Sequence, residues 1–298
     1  MTEPRISAVV CTLDRPESLR RALVSLSRQS LAASDYEIIV VDNRPCEATR
    51  HIVDAADGPV RALYFAEPEL GLSRARNLGW HVARAPYVAY LDDDAVAGER
   101  WLENALAAFA TAPRPGCVGG RVRPHWESAR PTWLADEMLV SLSTVDWSPV
   151  ARPLARGEWL VGTNIAFRRE LLECIGGFRE DLGRIGDRLL SMEERWACEQ
   201  IESRGHLSLY FPDMEVVHHI AAPRLSRLWF ARRYFWQGVS GGRMAAARGS
   251  RPSTRSPAVA LAALARRVSA TVSAGHLFVF CRLVQQLGFV WGRLGLVR

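Results

Sequence analysis

The sequence predicts an α/β protein built on a mostly parallel sheet with helices on both faces. Three observations carry that expectation: short apolar runs rich in β-branched residues alternate with stretches of helical period, the connections between them are short, and several runs end in polar side chains. At 298 residues, 48% of them hydrophobic, the chain can bury a full core as one large domain or two small ones.

"ISAVVCT", Ile6 to Thr12, reads as the first buried strand. Asp14 then stands as a helix cap, with Pro16 in the first turn and Leu19, Leu23 and Leu26 repeating on one face. "YEIIVVDN", Tyr36 to Asn43, is the second strand, and "VRALYF", Val60 to Phe65, a weaker third. A helix follows over Gly71 to Ala85, where Ala75, Leu78 and Val82 share a face, and "YVAYL", Tyr87 to Leu91, is the fourth strand. The next helix, Glu99 to Ala110, buries Trp101, Leu102, Ala105, Leu106 and Phe109. "GCVGGRVRPHW", Gly116 to Trp126, reads as one strand with glycine-permitted close approach. Residues Glu127 to Arg156, rich in proline, serine and tryptophan, read as an irregular region, with Trp133 and Trp147 in it and Trp126 just before it. Strand and helix resume in "EWLVGTNIAFRRELLECIGGFRED", and His206 to Ile220 supplies further strands.

Composition removes several function classes. The chain contains no lysine, so all 38 basic residues are arginine, and neither a Walker-type phosphate lysine nor a Schiff-base lysine is available. The six cysteines show no paired CxxC spacing, which argues against a zinc site or a disulfide framework and fits a reducing cytosol. The N-terminus lacks a signal-peptide layout, and no run of about 18 uncharged apolar residues occurs. A cytoplasmic protein is therefore expected, peripheral to the inner face of the membrane if its tail binds lipid.

In a doubly wound sheet ligands collect at the carboxyl ends of the strands. Those ends here carry Thr12, Asp14 and Arg15, then Asp42 and Asn43, then Asp92, Asp93 and Asp94. An acidic turn ahead of "GERWLENAL" can simply cap the helix that follows. Three adjacent carboxylates at a strand end also repel one another unless a cation compensates them, and hard oxygen ligands select Mg2+ or Mn2+ held jointly with substrate phosphates.

The ordered set "VVCTLDRPESL", "IIVVDN", "GLSRARNLG", "YLDDD", "GTNIAFRRELLECIGGF" and "SMEE" resembles the family-2 glycosyltransferases of the GT-A fold, over about Ile6 to Arg224. The resemblance implies a GT-A domain over 1–224, divided into a nucleotide-binding half (1–94) and an acceptor half (95–224), followed by an arginine-rich helical extension (225–298). It implies that Thr12, Asp14 and Asp42 line the nucleotide pocket with Arg15, Asn43, Arg76 and Asp93, that Asp92 approaches the ribose, and that Asp94, with Asp92 as a further ligand, holds a Mg2+ or Mn2+ on the donor diphosphate. Asn164, Thr163 and Trp159 fall on the donor or acceptor sugar side. The family's acidic pair matches Glu193 and Glu194, with Glu194 as the base and Glu193 as the alternative; the family's usual aspartate is glutamate here. Ser191-x-x-Glu194 is equally a capping-box pattern. His218, six residues before Arg224, has the family's spacing for a contact with metal or diphosphate, and His219 points to the opposite strand face.

The implied activity is inverting transfer of a sugar from a UDP- or dTDP-sugar to an acceptor hydroxyl on a glycan, a lipid carrier or a small secondary metabolite. A nucleotide-sugar-binding scaffold of the same fold is the non-enzymatic alternative. Sugar-nucleotide pyrophosphorylases are excluded by the missing glycine-rich N-terminal loop and the missing lysine.

The tail differs from the body. From Ala221 to Arg298 there are thirteen arginines and no aspartate or glutamate. Leu228, Ala231, Phe235 and Val239 suggest one helical stripe, a Gly/Ser/Pro/Arg linker is expected over Gly241 to Pro257, and amphipathic segments follow. Aromatics beside arginines fit an anionic membrane surface or a cap over the acidic body, and nucleic acid is not expected as a partner.

Overall fold

The computed structural model describes residues 3–249 and 276–297. The described chain forms two units, one of 1–125, 143–186 and 193–220, the other of 126–142, 187–192 and 221–298.

The first unit is organised by β1 (Ile6–Thr12), β2 (Tyr36–Asp42), β3 (Ala62–Ala66) and β4 (Tyr87–Asp92). These lie in parallel in the order β3-β2-β1-β4; β1, β2 and β4 are buried on both faces, so they read as continuous rather than alternating patterns, while β3 is the partly exposed edge strand. Register pairs Thr12 with Asp42 and Cys11 with Asp92, which brings the polar strand ends onto one edge.

Beyond β4 the sheet turns mixed. β9 (Asn164–Arg168) runs antiparallel to β4 and to β6 (Cys117–Gly119), then β10 (Ser208–Tyr210) and β8 (Arg152–Pro153) complete eight strands. A second sheet joins β5 (Ala95–Ala97), β11 (Val216–Ile220) and β7 (Val122–Trp126). Helices α1 (Pro16–Ser27), α2 (Glu47–Asp54), α3 (Leu72–Val82), α4 (Trp101–Phe109), α5 (Arg169–Ile175) and α6 (Glu193–Glu202) flank these sheets. The core gathers Val9, Ile39, Trp80, Tyr90, Phe167 and Phe178, all at least nine-tenths buried.

Several local expectations are corrected. Asp14 does not cap α1: it takes a left-handed conformation, φ 53°, which aspartate tolerates, and pairs with Arg44. The helix α2 was not expected. The single strand over Gly116 to Trp126 is two strands, because a Cβ at Gly120 would lie 2.0 Å from the Met214 carbonyl and the chain must turn there without a side chain. The irregular region contains a 3-10 turn over Asp136–Leu142 and the short strand β8. Ser191 Oγ has no hydrogen-bond partner among the described residues, so the capping box is not formed.

In the second unit α7 (Arg227–Ala247) runs through Gly241 and Gly242, where a linker was expected, and the rest of that expected linker falls largely on 250–275, outside the described residues. Its buried face is Phe230, Arg233, Tyr234, Gly238 and Val239, whereas Leu228 of the expected stripe is 71% exposed. Arg233 is held there by the carbonyls of Ser141 and Leu189. α7 packs along α8 (His276–Arg293).

Candidate active site

The end of β4 holds the three aspartates, each with a different neighbour. Asp92 accepts from Thr163 Oγ1 at 2.7 Å through Oδ2 and from Arg76 Nη2 at 3.2 Å through Oδ1. Asp93 accepts from Thr12 Oγ1 at 2.8 Å and from Arg15 Nη1 at 3.1 Å. Asp94 accepts from Arg15 Nη1 at 2.9 Å through Oδ2, and its Oδ1 lies 3.1 Å from His218 Nε2. Two charged arginines thus compensate three carboxylates, as the repulsion between them demands. Burial pushes the Asp93 carboxyl up to about 6, against the opposing pull of Arg15 and Thr12.

His218 reaches Asp94 because β5 and β11 pair antiparallel with His218 opposite Ala95. Strand alternation puts His218 inward and sends His219 to the other face, where its ring packs on His125 at 4.4 Å between centroids.

Arg76, on α3 and 2% exposed, joins the strand end to α6. Its Nη2 donates to Asp92 and to the Gly162 carbonyl, and its Nη1 donates to Glu193 Oε1. Burial alone disfavours its charge, but Glu193 and then Asp92 raise its pKa above the ordinary value. Gly162 is required there: a Cβ would lie 2.5 Å from Arg76 Nη2. Glu193 and Glu194 open α6, where the helix dipole favours negative charge. Glu193 is buried, with Oε2 lacking a hydrogen-bond partner among the described residues, while Glu194 is half-buried as a residue although its Oε2 is also shielded from solvent.

The second strand end is equally specific. Asp42, wholly buried, accepts from the backbone N–H groups of Arg44 and Cys46 and from the Tyr64 hydroxyl at 3.1 Å. Asn43 donates to the carbonyls of Glu67 and Glu69 and accepts from the Gly71 N–H at 2.8 Å, which fixes the start of α3. Asp14 stays exposed against Arg44.

Asn164 is fully buried and its amide is committed: Oδ1 accepts from Trp101 Nε1 at 2.8 Å, and Nδ2 donates to the carbonyls of Arg121 and Met214. Trp159 lies apart from the aspartates, in a cleft of about 290 Å³ lined with Glu158, Arg195, Glu199 and Glu202. Trp159 sits 5.8 Å from the Trp147 ring, and the Arg195 guanidinium lies 5.5 Å above it. The structure therefore brings the predicted residues into two bonded sets, Thr12, Arg15, Asp93, Asp94 and His218 in one and Arg76, Asp92, Thr163 and Glu193 in the other, which meet at the consecutive residues Asp92 and Asp93. Arg44, Tyr64, Trp101 and Gly162 belong to the site's support and were not singled out; only Gly162, inside "VGTN", carried a local signal.

A divalent cation fits the donors present. Asp94 and His218 face one another as a carboxylate oxygen and an imidazole nitrogen, a pair suited to Mn2+ or Mg2+. Among the described residues no group of three or more acidic, histidine or cysteine side chains converges, so diphosphate oxygens would have to complete the coordination.

A mostly parallel nucleotide-type sheet with an acidic cluster at its edge defines the GT-A class. Residues 7–176 match the model for glycosyl transferase family 2, and the chain belongs to that family. It is 29% identical over 239 residues to the glucosyl-dolichyl phosphate glucuronosyltransferase of Haloferax volcanii, covering 79% of this chain and 76% of that one. It is 30% identical over 203 residues to a validoxylamine A glucosyltransferase of Streptomyces hygroscopicus, covering 60% of this chain and 48% of the relative. In fold it resembles the mannosyltransferase PcManGT of Pyrobaculum calidifontis, solved with GDP-Man and Mn2+, at a TM-score of 0.66 and 20% identity, covering 98% of this chain and 88% of that one. It also resembles TarS of Staphylococcus aureus, solved with UDP-GlcNAc, at a TM-score of 0.55 and 17% identity over 80% of this chain and 66% of that one. The protein is a family-2 glycosyltransferase of the GT-A fold.

Proposed function

We propose that this chain is an inverting glycosyltransferase that moves a sugar from a nucleoside-diphosphate sugar to an acceptor hydroxyl, with Glu194 as the base. The observation that carries the choice of Glu194 is the commitment of its neighbour: Glu193 accepts from the buried Arg76 guanidinium. Glu194 stands at the same helix start, is less buried, and holds the position that the resemblance to the family assigns to the base.

Asp42 and Asn43 would shape the base pocket with Thr12, Asp14 and Arg15, and Asp92 would meet the ribose, held in position by Arg76 and Thr163. Asp94 and His218 would hold a Mg2+ or Mn2+, which supplies charge neutralisation to the departing diphosphate. Arg15, which pairs with Asp93 and Asp94 at that edge, would offer its guanidinium to phosphate oxygens. Thr163 would face the donor sugar through the same strand end. The Trp159 cleft, with an aromatic face between carboxylates and a guanidinium, suits an acceptor saccharide. Uridine, guanosine and thymidine diphosphate donors all fit this reading, as do glycan, lipid-linked and small-molecule acceptors. We further propose that the enzyme works at an anionic membrane surface, since the H. volcanii relative's name specifies a dolichyl phosphate substrate and residues 221–298 are acid-free and arginine-rich.

Titration calorimetry with UDP, GDP and dTDP, each with Mn2+ and with EDTA, tests the reading. Metal-dependent binding of at least one is expected, followed by donor turnover with inversion at the anomeric carbon by NMR. Tight binding with no transfer to any acceptor would point to the scaffold instead, and no binding would end the proposal.

A further inference from the structure

The α7–α8 pair is held by main-chain contact. Gly238 and Gly242 on α7 face Gly288 and Gly292 on α8, each pair spaced by four residues so that both glycines share a face. A Cβ on Gly238 would lie 2.0 Å from the Gln285 carbonyl oxygen, and one on Gly242 would lie 2.2 Å from that of Phe289. Reciprocally, Cβ atoms on Gly288 and Gly292 would lie 2.1 Å from the carbonyl oxygens of Phe235 and Val239. Backbones that approach this closely gain their adhesion from van der Waals packing, the small-residue mode that serves where no hydrophobic drive between helices exists.

Phe278 and Trp291 still touch the rings of Tyr234 and Phe235 on α7, but a set of large side chains on α8 and just past its end is left exposed. Phe280 is 52% exposed, Leu287 54%, Val290 51% and Leu294 63%, with Leu283 and Trp291 also exposed. At helical period these six positions fall within an arc of about 100°. The arc runs for about 20 Å along the helix. Among the described residues no helix is long and apolar enough to cross a membrane, so such a stripe is suited to lie along a surface.

We infer that α7 and α8 form a docking hairpin that lies in the interface of an anionic lipid bilayer, with the stripe from Phe280 to Leu294 turned into the acyl boundary. The inference deepens the membrane-surface reading proposed above and rests on it. Charge chooses the occupant. Arg282 and Arg293 fall on one flank of the stripe beside Gln286, where guanidiniums meet lipid phosphates. A second copy laid on the same face would set arginine against arginine, with no carboxylate anywhere in 221–298 to compensate. The stretch 250–275 brings four more arginines and no acid, so it too offers no counter-charge.

The test is flotation of the full-length protein with vesicles of phosphatidylcholine alone and with a quarter phosphatidylglycerol, beside Leu287→Glu/Val290→Glu. Both positions are exposed, so the variant should keep its circular dichroism and its nucleotide affinity. Wild type should float with anionic vesicles and far less with neutral ones, and the variant's partition should fall at least tenfold. Equal flotation of variant and wild type, or no flotation of wild type, would overturn the inference. So would conversion of a wild-type dimer to a monomer by the two substitutions, read by light scattering, which would assign the stripe to a second copy. Loss of nucleotide binding in both proteins with flotation intact would instead sink the transferase reading and leave the hairpin's lipid contact supported.

Discussion

Arg76 and Glu193 form a buried ion pair, their side chains 3% and 5% exposed, that ties α3 to the first turn of α6. The same guanidinium reaches Asp92 at the end of β4, so one cation sets the distance between a strand end and the helix that carries the proposed base. Removing the charge leaves the buried Glu193 and the part-exposed Asp92 without their common cation.

Replacing Arg76 with Ala should cost about 3–5 kcal/mol of unfolding free energy, because a buried pair that loses one partner strands the other. Urea titration followed by circular dichroism measures it. Arg76→Lys should recover only part, since an ammonium cannot serve Asp92, Glu193 and the Gly162 carbonyl from one planar fork. Full stability in both variants would mean that the pair is not formed.

Glu194→Gln and Glu193→Gln should separate chemistry from architecture. The first should lower kcat by roughly 10²–10⁴ while leaving nucleotide affinity unchanged. The second should lower stability through Arg76. Reversal of the two patterns would move the base to Glu193.

Asp94→Asn should weaken Mn2+-dependent nucleotide binding at least tenfold and leave any EDTA-insensitive binding alone. Its amide can still contact His218, so the fold should survive. Calorimetry with and without metal decides the matter, and unchanged metal dependence would remove Asp94 from the cation site.

Gly162→Ala should act through Arg76 although it adds one methyl group. The guanidinium that would have to move is pinned by Asp92 and Glu193, so a loss of about 1–3 kcal/mol is expected, the usual cost of overpacking. Combining it with Arg76→Ala should be less than additive, because both act on one contact. A double-mutant cycle on unfolding free energies reads the coupling.

The cysteines give a pH test. Burial pushes the Cys11 thiol from an ordinary 9.0 up to about 12, against Arg76, with Asp92 and Asp93 adding to the rise. Folding therefore favours the neutral thiol: the stability from this group is intact below pH 9.0 and falls as the pH climbs towards 12. At pH 8 iodoacetamide should modify the exposed Cys46 and Cys174 and spare Cys11, by peptide mass spectrometry. Rapid labelling of Cys11 would show that the strand end opens.

Much of this frame was legible because its signals are local. A β-branched run broken by Asp or Thr marks a buried strand reaching an edge, and the alternation of His218 and His219 follows from strand geometry alone. What was not legible depends on partners distant in sequence. Asp14 looked like a cap until Arg44 took it, and Asn164 looked available until Trp101 and two carbonyls used its amide. Gly241 and Gly242 read as linker residues because glycine is a poor helix former, and only the facing main chain of the second helix explains the glycine at 242.

That glycine seam also limits how the sequence can drift. In most packed cores an enlarged residue can be accommodated by trimming a neighbour, so a first harmful change leaves room for a second, corrective one. Here the obstacle to any added methyl group is a carbonyl oxygen of the facing main chain, at Gln285, Phe289, Phe235 and Val239. No substitution shortens a carbonyl. A suppressor screen begun from Gly238→Ala or Gly288→Ala should return true revertants rather than compensating pairs across the seam, making these four glycines a set that mutation leaves only by parting the helices.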